Sequence, residues 1–343
     1  MKQKNQRNTT KPIIGISIGD MNGIGPEVTI GALSDTRMLK SFVPVIYASG
    51  GLISYYRKQM KTEQFSYHQC ENINDIHLKK INVINCWTER VEIQPGSGNE
   101  ESGKYARVSL AAATEDLKAG KLDGMVTAPL SKEFVKNDEF DFPGHTEYLT
   151  KVFEASDSLM LMILGELRVG VVTGHIPLKE VSHKLTKELV QSKTEILLQS
   201  LMNDFVIKKP KIALLGLNPH AGENGILGSE DDGIIVPVIE EFKKKGNLVM
   251  GPFPADGFFG SGQFRNFDGV LAMYHDQGLI PFKTLTGGEG VNFTAGINKI
   301  RTSPAHGTAY NLAGKNVADV TSMRNALFAA IYLARNKMQE EAL

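Results

Sequence analysis

Five of the eight histidines sit in short stretches marked by glycine or proline. These are Gly144-His145-Thr146-Glu147, Thr173-Gly174-His175-Ile176-Pro177, Asn218-Pro219-His220-Ala221-Gly222-Glu223, Tyr274-His275-Asp276-Gln277-Gly278 and Ala305-His306-Gly307-Thr308. Three of them follow strand-like runs directly: Val169 to Thr173, Ile212 to Leu217 and Gly269 to Met273. In an α/β sheet, residues just beyond the carboxyl ends of the strands converge on the binding crevice. His175, His220 and His275 can therefore meet, although 45 and 55 residues separate them. Three neutral imidazoles and one open position make a catalytic site of the zinc type. A single histidine at a strand end is more often a hydrogen-bonded structural residue, so spacing alone leaves both readings open. His68, His77 and His183 lie in polar stretches and read as surface residues.

A second set suits an anion. Lys283 follows an apolar run, Asn292 sits in Gly290-Val291-Asn292-Phe293 and Arg301 in Ile300-Arg301-Thr302-Ser303. Lysine and arginine bracketed by glycine and apolar residues can bind phosphate or carboxylate. Solvated surface cations are the ordinary alternative. A third stretch, Gly19-Asp20-Met21-Asn22-Gly23-Ile24-Gly25-Pro26-Glu27, links a strand to a helix, where backbone amides can face an anion. It matches neither GxGxxG nor GxxxxGK[ST]. A plain tight turn and a ligand loop fit it equally.

The elements that must hold these residues alternate between strand and helix, which marks an α/β fold. Strands are expected at Ile13 to Ile18, Val43 to Ala48, Gly124 to Thr127, Ile212 to Leu217, Leu248 to Met250 and Gly269 to Met273. Helices are expected from Pro26, over Gly103 to Gly120, Thr186 to Phe205 and Asp232 to Lys245, and from Thr321 to Leu343. Leu110, Ala113 and Leu117 share one face of the second; Leu189, Ile196, Leu197 and Leu201 mark the third. Lys243 to Lys245 complement a helix C-terminus that Gly246 stops. Gln94 to Gly103 reads as a loop and Met1 to Lys11 as a frayed polar tail.

Composition removes whole classes of function. The 38 Lys and Arg balance 38 Asp and Glu, which excludes a coat for nucleic acid or an anionic membrane. The longest apolar run, Leu159 to Leu164, is far short of the roughly 20 residues that span a bilayer. Cys70 and Cys86 form no CxxC motif or disulfide framework, and a reducing cytoplasmic location is expected.

Nine segments in order, GDMNGIGPE, TAPLSK, GHTEY, TGHIPL, GLNPHAGE, GPFPAD, AMYHDQG, GVNFTAG and RTSPAHGTA, resemble the 4-hydroxythreonine-4-phosphate dehydrogenase family of vitamin B6 biosynthesis. The resemblance runs from about Ile13 to Leu333. It implies an α/β two-domain fold like that of isocitrate and isopropylmalate dehydrogenases, with a cleft between domains, and not a Rossmann fold. An outer cofactor-side domain would comprise 1–138 and 286–343, and a central dimerising domain 139–285. Gly23 to Glu27, and His306-Gly307-Thr308-Ala309 with Leu312 to Lys315, resemble the wider group's cofactor segments.

Position by position, the resemblance puts metal ligands at His175, His220 and His275, and substrate contacts at His145, Thr146, Lys283, Asn292 and Arg301. Cofactor contacts fall at His306, Gly307 and Thr308, and an acidic residue near the metal at Asp256. Lys283 and Asp256 are the candidates for proton transfer. The implied cofactors are NAD, with NADP as the alternative, and one divalent ion per site: zinc, or cobalt, manganese or magnesium. The implied reaction oxidises the 3-hydroxyl of 4-phosphooxy-L-threonine and decarboxylates the product to 3-amino-2-oxopropyl phosphate. A homodimer with shared active sites is implied, with no nucleic-acid or membrane partner. One departure is Met21-Asn22, where the family often has Pro-Ala. Relatives acting on 4-phospho-threonate or erythronate in sugar-acid catabolism share most of these motifs, so that chemistry is the alternative. A phosphate acyltransferase on the related scaffold would need no metal histidines.

Overall fold

The structure is a computed structural model that describes residues 10–136, 142 and 144–340. Most of the expected N-terminal tail, the expected domain limit at 138/139 and the last three residues of the closing helix lie outside the described residues. Its strands, in chain order, are β1 (Ile13–Ser17), β2 (Val43–Ala48), β3 (Tyr67–Cys70), β4 (Ile81–Asn85), β5 (Gly124–Thr127), β6 (Leu159–Leu164), β7 (Leu167–Thr173), β8 (Lys211–Leu215), β9 (Leu248–Phe253), β10 (Gly269–Tyr274), β11 (Val291–Ala295) and β12 (Arg301–Pro304). The chain forms two compact units, Met1–Tyr148 with Lys299–Arg335, and Leu149–Asn298 with Asn336–Leu343.

In the first unit the strand order is β3-β4-β2-β1-β5-β12, and every pairing is parallel. Strands β1, β2, β5 and β12 are buried along their whole length, as a parallel sheet covered on both faces requires. The helix Glu100–Lys118 packs across β1, β2 and β5 and buries Leu110, Ala113 and Leu117, the expected face. It starts three residues earlier than expected because Asn99 and Ser102 form a reciprocal capping box. Ser109, buried on the same helix, donates to Tyr47 O at 2.6 Å and accepts from Ile18 N at 2.9 Å. Trp87 packs on Tyr105 with centroids 4.7 Å apart, and Tyr105 OH donates to Glu89.

In the second unit the order is β11-β6-β7-β10-β8-β9. Strand β6 pairs antiparallel with β11 and β7, whereas β7, β10, β8 and β9 are parallel neighbours. The helix Lys187–Asn203 buries Val190, Thr194, Leu197, Leu198 and Leu201, so its inner stripe is shifted from the expected one and leaves Leu189 and Ile196 half-buried. The helix expected over Asp232 to Lys245 is instead a π turn, Asp231–Ile235, followed by an α-helix, Val236–Lys244. Pro237 has no N–H to continue the regular ladder, and the wider turn accommodates that loss. Strand β8 ends at Leu215, two residues early, because the Leu217 and Asn218 amides donate to the Asp231 carboxylate instead of to a neighbouring strand.

Candidate active site

In the second unit β10 lies between β7 and β8, parallel to both, so all three carboxyl ends emerge at one edge. Side chains stitch these ends together. Thr173 Oγ1 donates to Met273 O at 2.8 Å, while Gln277 Oε1 accepts from Met273 N at 2.7 Å and its Nε2 donates to Gly216 O at 2.5 Å. His175 stands two residues past β7, and His275 opens the helix His275–Thr286 that follows β10. Their rings lie 5.5 Å apart, centroid to centroid, at 44°. His275 Nδ1 is 2.7 Å from Asp276 Oδ1, a contact that engages one ring nitrogen and leaves Nε2 as the other. This is the usual carboxylate support of an imidazole that ligates a metal.

His220 follows β8 in the tight turn Pro219–Gly222. From His220 to Gly225 six consecutive residues have positive φ: 52°, 52°, 81°, 45°, 55° and 84°. Four of them carry a Cβ, and for such residues the left-handed region costs about 1 kcal/mol or more each. The structure thus brings His175 and His275 together and places His220 beyond the adjacent strand. Among the described residues, no three His, Cys, Asp or Glu side chains form a group that could hold an ion within one chain. The donor chemistry, two adjacent imidazoles with one oriented by a carboxylate, fits a borderline divalent ion.

The other expected residues of this unit lie on neighbouring elements. Asp256 is exposed in the short helix Ala255–Gly260 after β9, and Lys283 is exposed in the last turn of His275–Thr286. Asn292 is half-buried in β11, and its Oδ1 is buried with no hydrogen-bond partner, which leaves an open acceptor.

In the first unit Arg301 opens β12 beside β5 and is only 2 % exposed. Its Nε and Nη2 both donate to Thr127 Oγ1, at 3.1 and 2.6 Å. Burial pulls the guanidinium down to about 10, against the opposing charge of Glu147. His145 and Thr146 open the helix His145–Val152. The ring nitrogen His145 Nε2 is buried without a partner. Burial, then the charges of Arg301 and Lys132, hold this imidazole well below its usual value, so it is neutral. A buried guanidinium, a lysine and a neutral ring with an open nitrogen make a seat for phosphate or carboxylate.

The two segments expected to serve the cofactor meet in the same unit. Ile24 N donates to Thr308 O at 2.9 Å, and Gly314 N donates to Glu27 Oε1. Burial raises the Glu27 carboxyl, opposed by hydrogen bonds from the Gly314 and Asn316 amides. Tyr310 OH and Ser102 Oγ both donate to Asp20 Oδ2, at 2.7 and 3.0 Å. A Cβ at Gly23 would lie 2.9 Å from Thr308 O, so this approach needs glycine. The amides of Asp20, Asn22, Gly23 and Ile24 are all bonded within the protein, which fixes this part of the Gly19 to Glu27 stretch as a tight turn. His306 Nε2 and Glu27 Oε2 are buried without partners, which leaves polar atoms for a polar cofactor to satisfy. His306 is pushed below its usual value by burial. Gly307 is exposed beside it.

Thr127, Lys132, Asp20, Gln277 and Asp231 act here without having been singled out from the sequence. The TAPLSK segment, which starts on the last residue of β5, is the signal for the first two. The other three act by holding backbone or hydroxyl groups, which leaves no pattern in residue type.

The chain is similar to curated relatives and solved structures that are named as dehydrogenases. The chain is 44 % identical over 330 residues to a 4-hydroxythreonine-4-phosphate dehydrogenase of Bacteroides thetaiotaomicron, covering 96 % of this chain and 90 % of the relative. It is 37 % identical to a protein of Oceanobacillus iheyensis named "Putative D-threonate 4-phosphate dehydrogenase", covering 95 % and 99 %. The crystal structure of 4-hydroxythreonine-4-phosphate dehydrogenase from Klebsiella pneumoniae matches with a TM-score of 0.84 at 31 % identity, over 96 % of this chain and all of that one. Residues 40–330 match the family model of the pyridoxal phosphate biosynthetic protein PdxA, and the chain belongs to that family.

Proposed function

We propose that the protein oxidises 4-phosphooxy-L-threonine at C3 with NAD and decarboxylates the product to 3-amino-2-oxopropyl phosphate, a step toward pyridoxal 5'-phosphate. The observation that carries the substrate is the 44 % identity to a relative of that name over nearly the whole chain. With this reading go the resemblance's finer implications: an isocitrate dehydrogenase-like outer and central domain, and a divalent ion on His175, His220 and His275. The bound ion would supply Lewis acidity at the C3 oxygen, and NAD a hydride acceptor.

The chain's own groups do the rest. Arg301 and His145, with Thr146, Asn292 and Lys283, bind the phosphate and carboxylate. The buried guanidinium gains most from an anion, because charge interactions strengthen away from water. Lys283 or Asp256 takes the proton from the C3 hydroxyl. The rim of His306, Gly307 and Thr308 orients the cofactor. Two copies are expected to share each site. Supporting this, the exposed apolar residues Ile176, Leu178, Ile226, Leu227, Ile280 and Leu285 follow the three histidines closely in the chain. Contiguous exposed apolar patches mark association surfaces, and these residues are the candidates for one.

The name of the Oceanobacillus relative favours a second reading, in which the substrate carries a hydroxyl in place of the amine. NADH formation with 4-phosphooxy-L-threonine and with D-threonate 4-phosphate separates them. Preference for the amine supports the first reading, and preference for the threonate overturns it.

A further inference from the structure

We propose that Asp231 is the positioning residue for His220, holding the strained loop that presents this ring; the proposal rests on the reading of His220 as a metal ligand. Asp231 is fully buried. Its Oδ1 accepts from Leu217 N at 2.8 Å, and its Oδ2 accepts from Asn218 N at 3.1 Å and Asn218 Nδ2 at 3.0 Å. No lysine or arginine pairs with it among the described residues. A buried carboxylate held only by neutral N–H donors is costly, and such cost is kept where geometry matters more than stability.

The surrounding backbone is cut back to make room for it. A Cβ at Gly216 would lie 2.7 Å from Asp231 Oδ1, and one at Gly222 would lie 3.2 Å from Asp231 Cβ. The carboxylate thus reaches both sides of the turn. It grips the two residues before Pro219 and packs under Gly222, and the left-handed run begins at His220 between these two fixed points. An amide at 231 offers one acceptor in place of two. One of the 217 and 218 amides then loses its partner, and the run relaxes toward ordinary φ, so the ring leaves the position in which this turn presents it.

The test is titration of the chelator-stripped full-length protein with Co2+ alone, followed by calorimetry. Asp231→Asn is expected to weaken Co2+ binding about tenfold, the effect typical of removing outer support from a ligand. Its circular dichroism should match the parent, and turnover should return as Co2+ is raised. His220→Ala, run beside it, is expected to lose the site. Parent-like affinity in Asp231→Asn with loss in His220→Ala overturns this proposal alone. Parent-like affinity in both overturns the metal reading and the proposal with it. Should Asp231→Asn not fold, Asp231→Glu decides, because it keeps the charge and both acceptors but moves them by one methylene away from the Leu217 and Asn218 amides. The same weakening is expected there, and unchanged affinity overturns the proposal.

Discussion

Arg301 places both Nε and Nη2 on a single hydroxyl, Thr127 Oγ1, across the pairing of β12 with β5. One threonine at a strand end therefore aims a buried cation. Thr127→Val keeps the shape and removes the acceptor. Hydrogen bonds to charged groups contribute about 1.5–3 kcal/mol, so KM for the phosphorylated substrate should rise by roughly tenfold or more. The change in kcat should be smaller. Steady-state kinetics with saturating NAD decides this, and an unchanged KM would sink the positioning role of Thr127.

Removal of an exposed ligand should not unfold the protein. His220 is exposed, so its removal uncovers little buried surface. His220→Ala is expected to lower NADH production by more than about 100-fold, beyond the loss from an outer-sphere change. The thermal midpoint should remain close to the parent's. Full activity in this variant removes the metal assignment.

The cofactor segments can be pried apart without touching metal or substrate groups. In Gly23→Ala the new methyl meets Thr308 O at 2.9 Å and Thr308 Cβ at 3.1 Å. Overpacking of this kind costs about 1–3 kcal/mol. KM for NAD should rise while Co2+ affinity stays at the parent value. An unchanged KM for NAD would place the cofactor elsewhere.

Acid stability follows from His145. Its folded value lies below the ordinary histidine value of about 6.5, because burial and two neighbouring cations oppose protonation. Above that value neither state binds the proton, and the group contributes nothing. Below it the unfolded chain takes up a proton that the folded chain refuses, so stability falls as pH falls. Burial of His306 adds in the same direction. Urea unfolding at pH 7.5 and 5.5 should show a smaller acid loss in His145→Gln than in the parent. An equal loss would show that His145 is not the group responsible.

Association can be tested at the exposed apolar residues. Leu178 and Ile226 are 73 % and 76 % exposed. A Leu178→Asp, Ile226→Asp double variant should sediment as a monomer and show little turnover. A monomeric variant with full turnover would mean that each chain carries a complete site.

Much of this arrangement could be read from residue order. The bounds of β2 and β5 agree with expectation, because β-branched runs between turn residues leave little choice. The strand-end position of His175, His220 and His275 also follows from apolar runs that stop at glycine or proline. Strand β3, Tyr-His-Gln-Cys, has no apolar period, and β12 begins with arginine and ends with proline, so neither looks like a buried strand. Arg301 is the reason: a guanidinium sits where a parallel strand usually carries an aliphatic residue. Asp231 and Asp20 were silent for another cause. Their work is to accept backbone or hydroxyl donors from segments distant in sequence, and no local spacing encodes that.

The sole tryptophan, Trp87, packs against Tyr105 in the first unit. Intrinsic fluorescence excited at the indole is therefore a local gauge. It follows the loosening of the parallel sheet that carries Arg301, and it is blind to separate melting of the histidine-bearing half. A fluorescence transition that precedes or trails the circular dichroism transition would reveal two independently cooperative blocks. Coincident curves would mean that the halves melt as one.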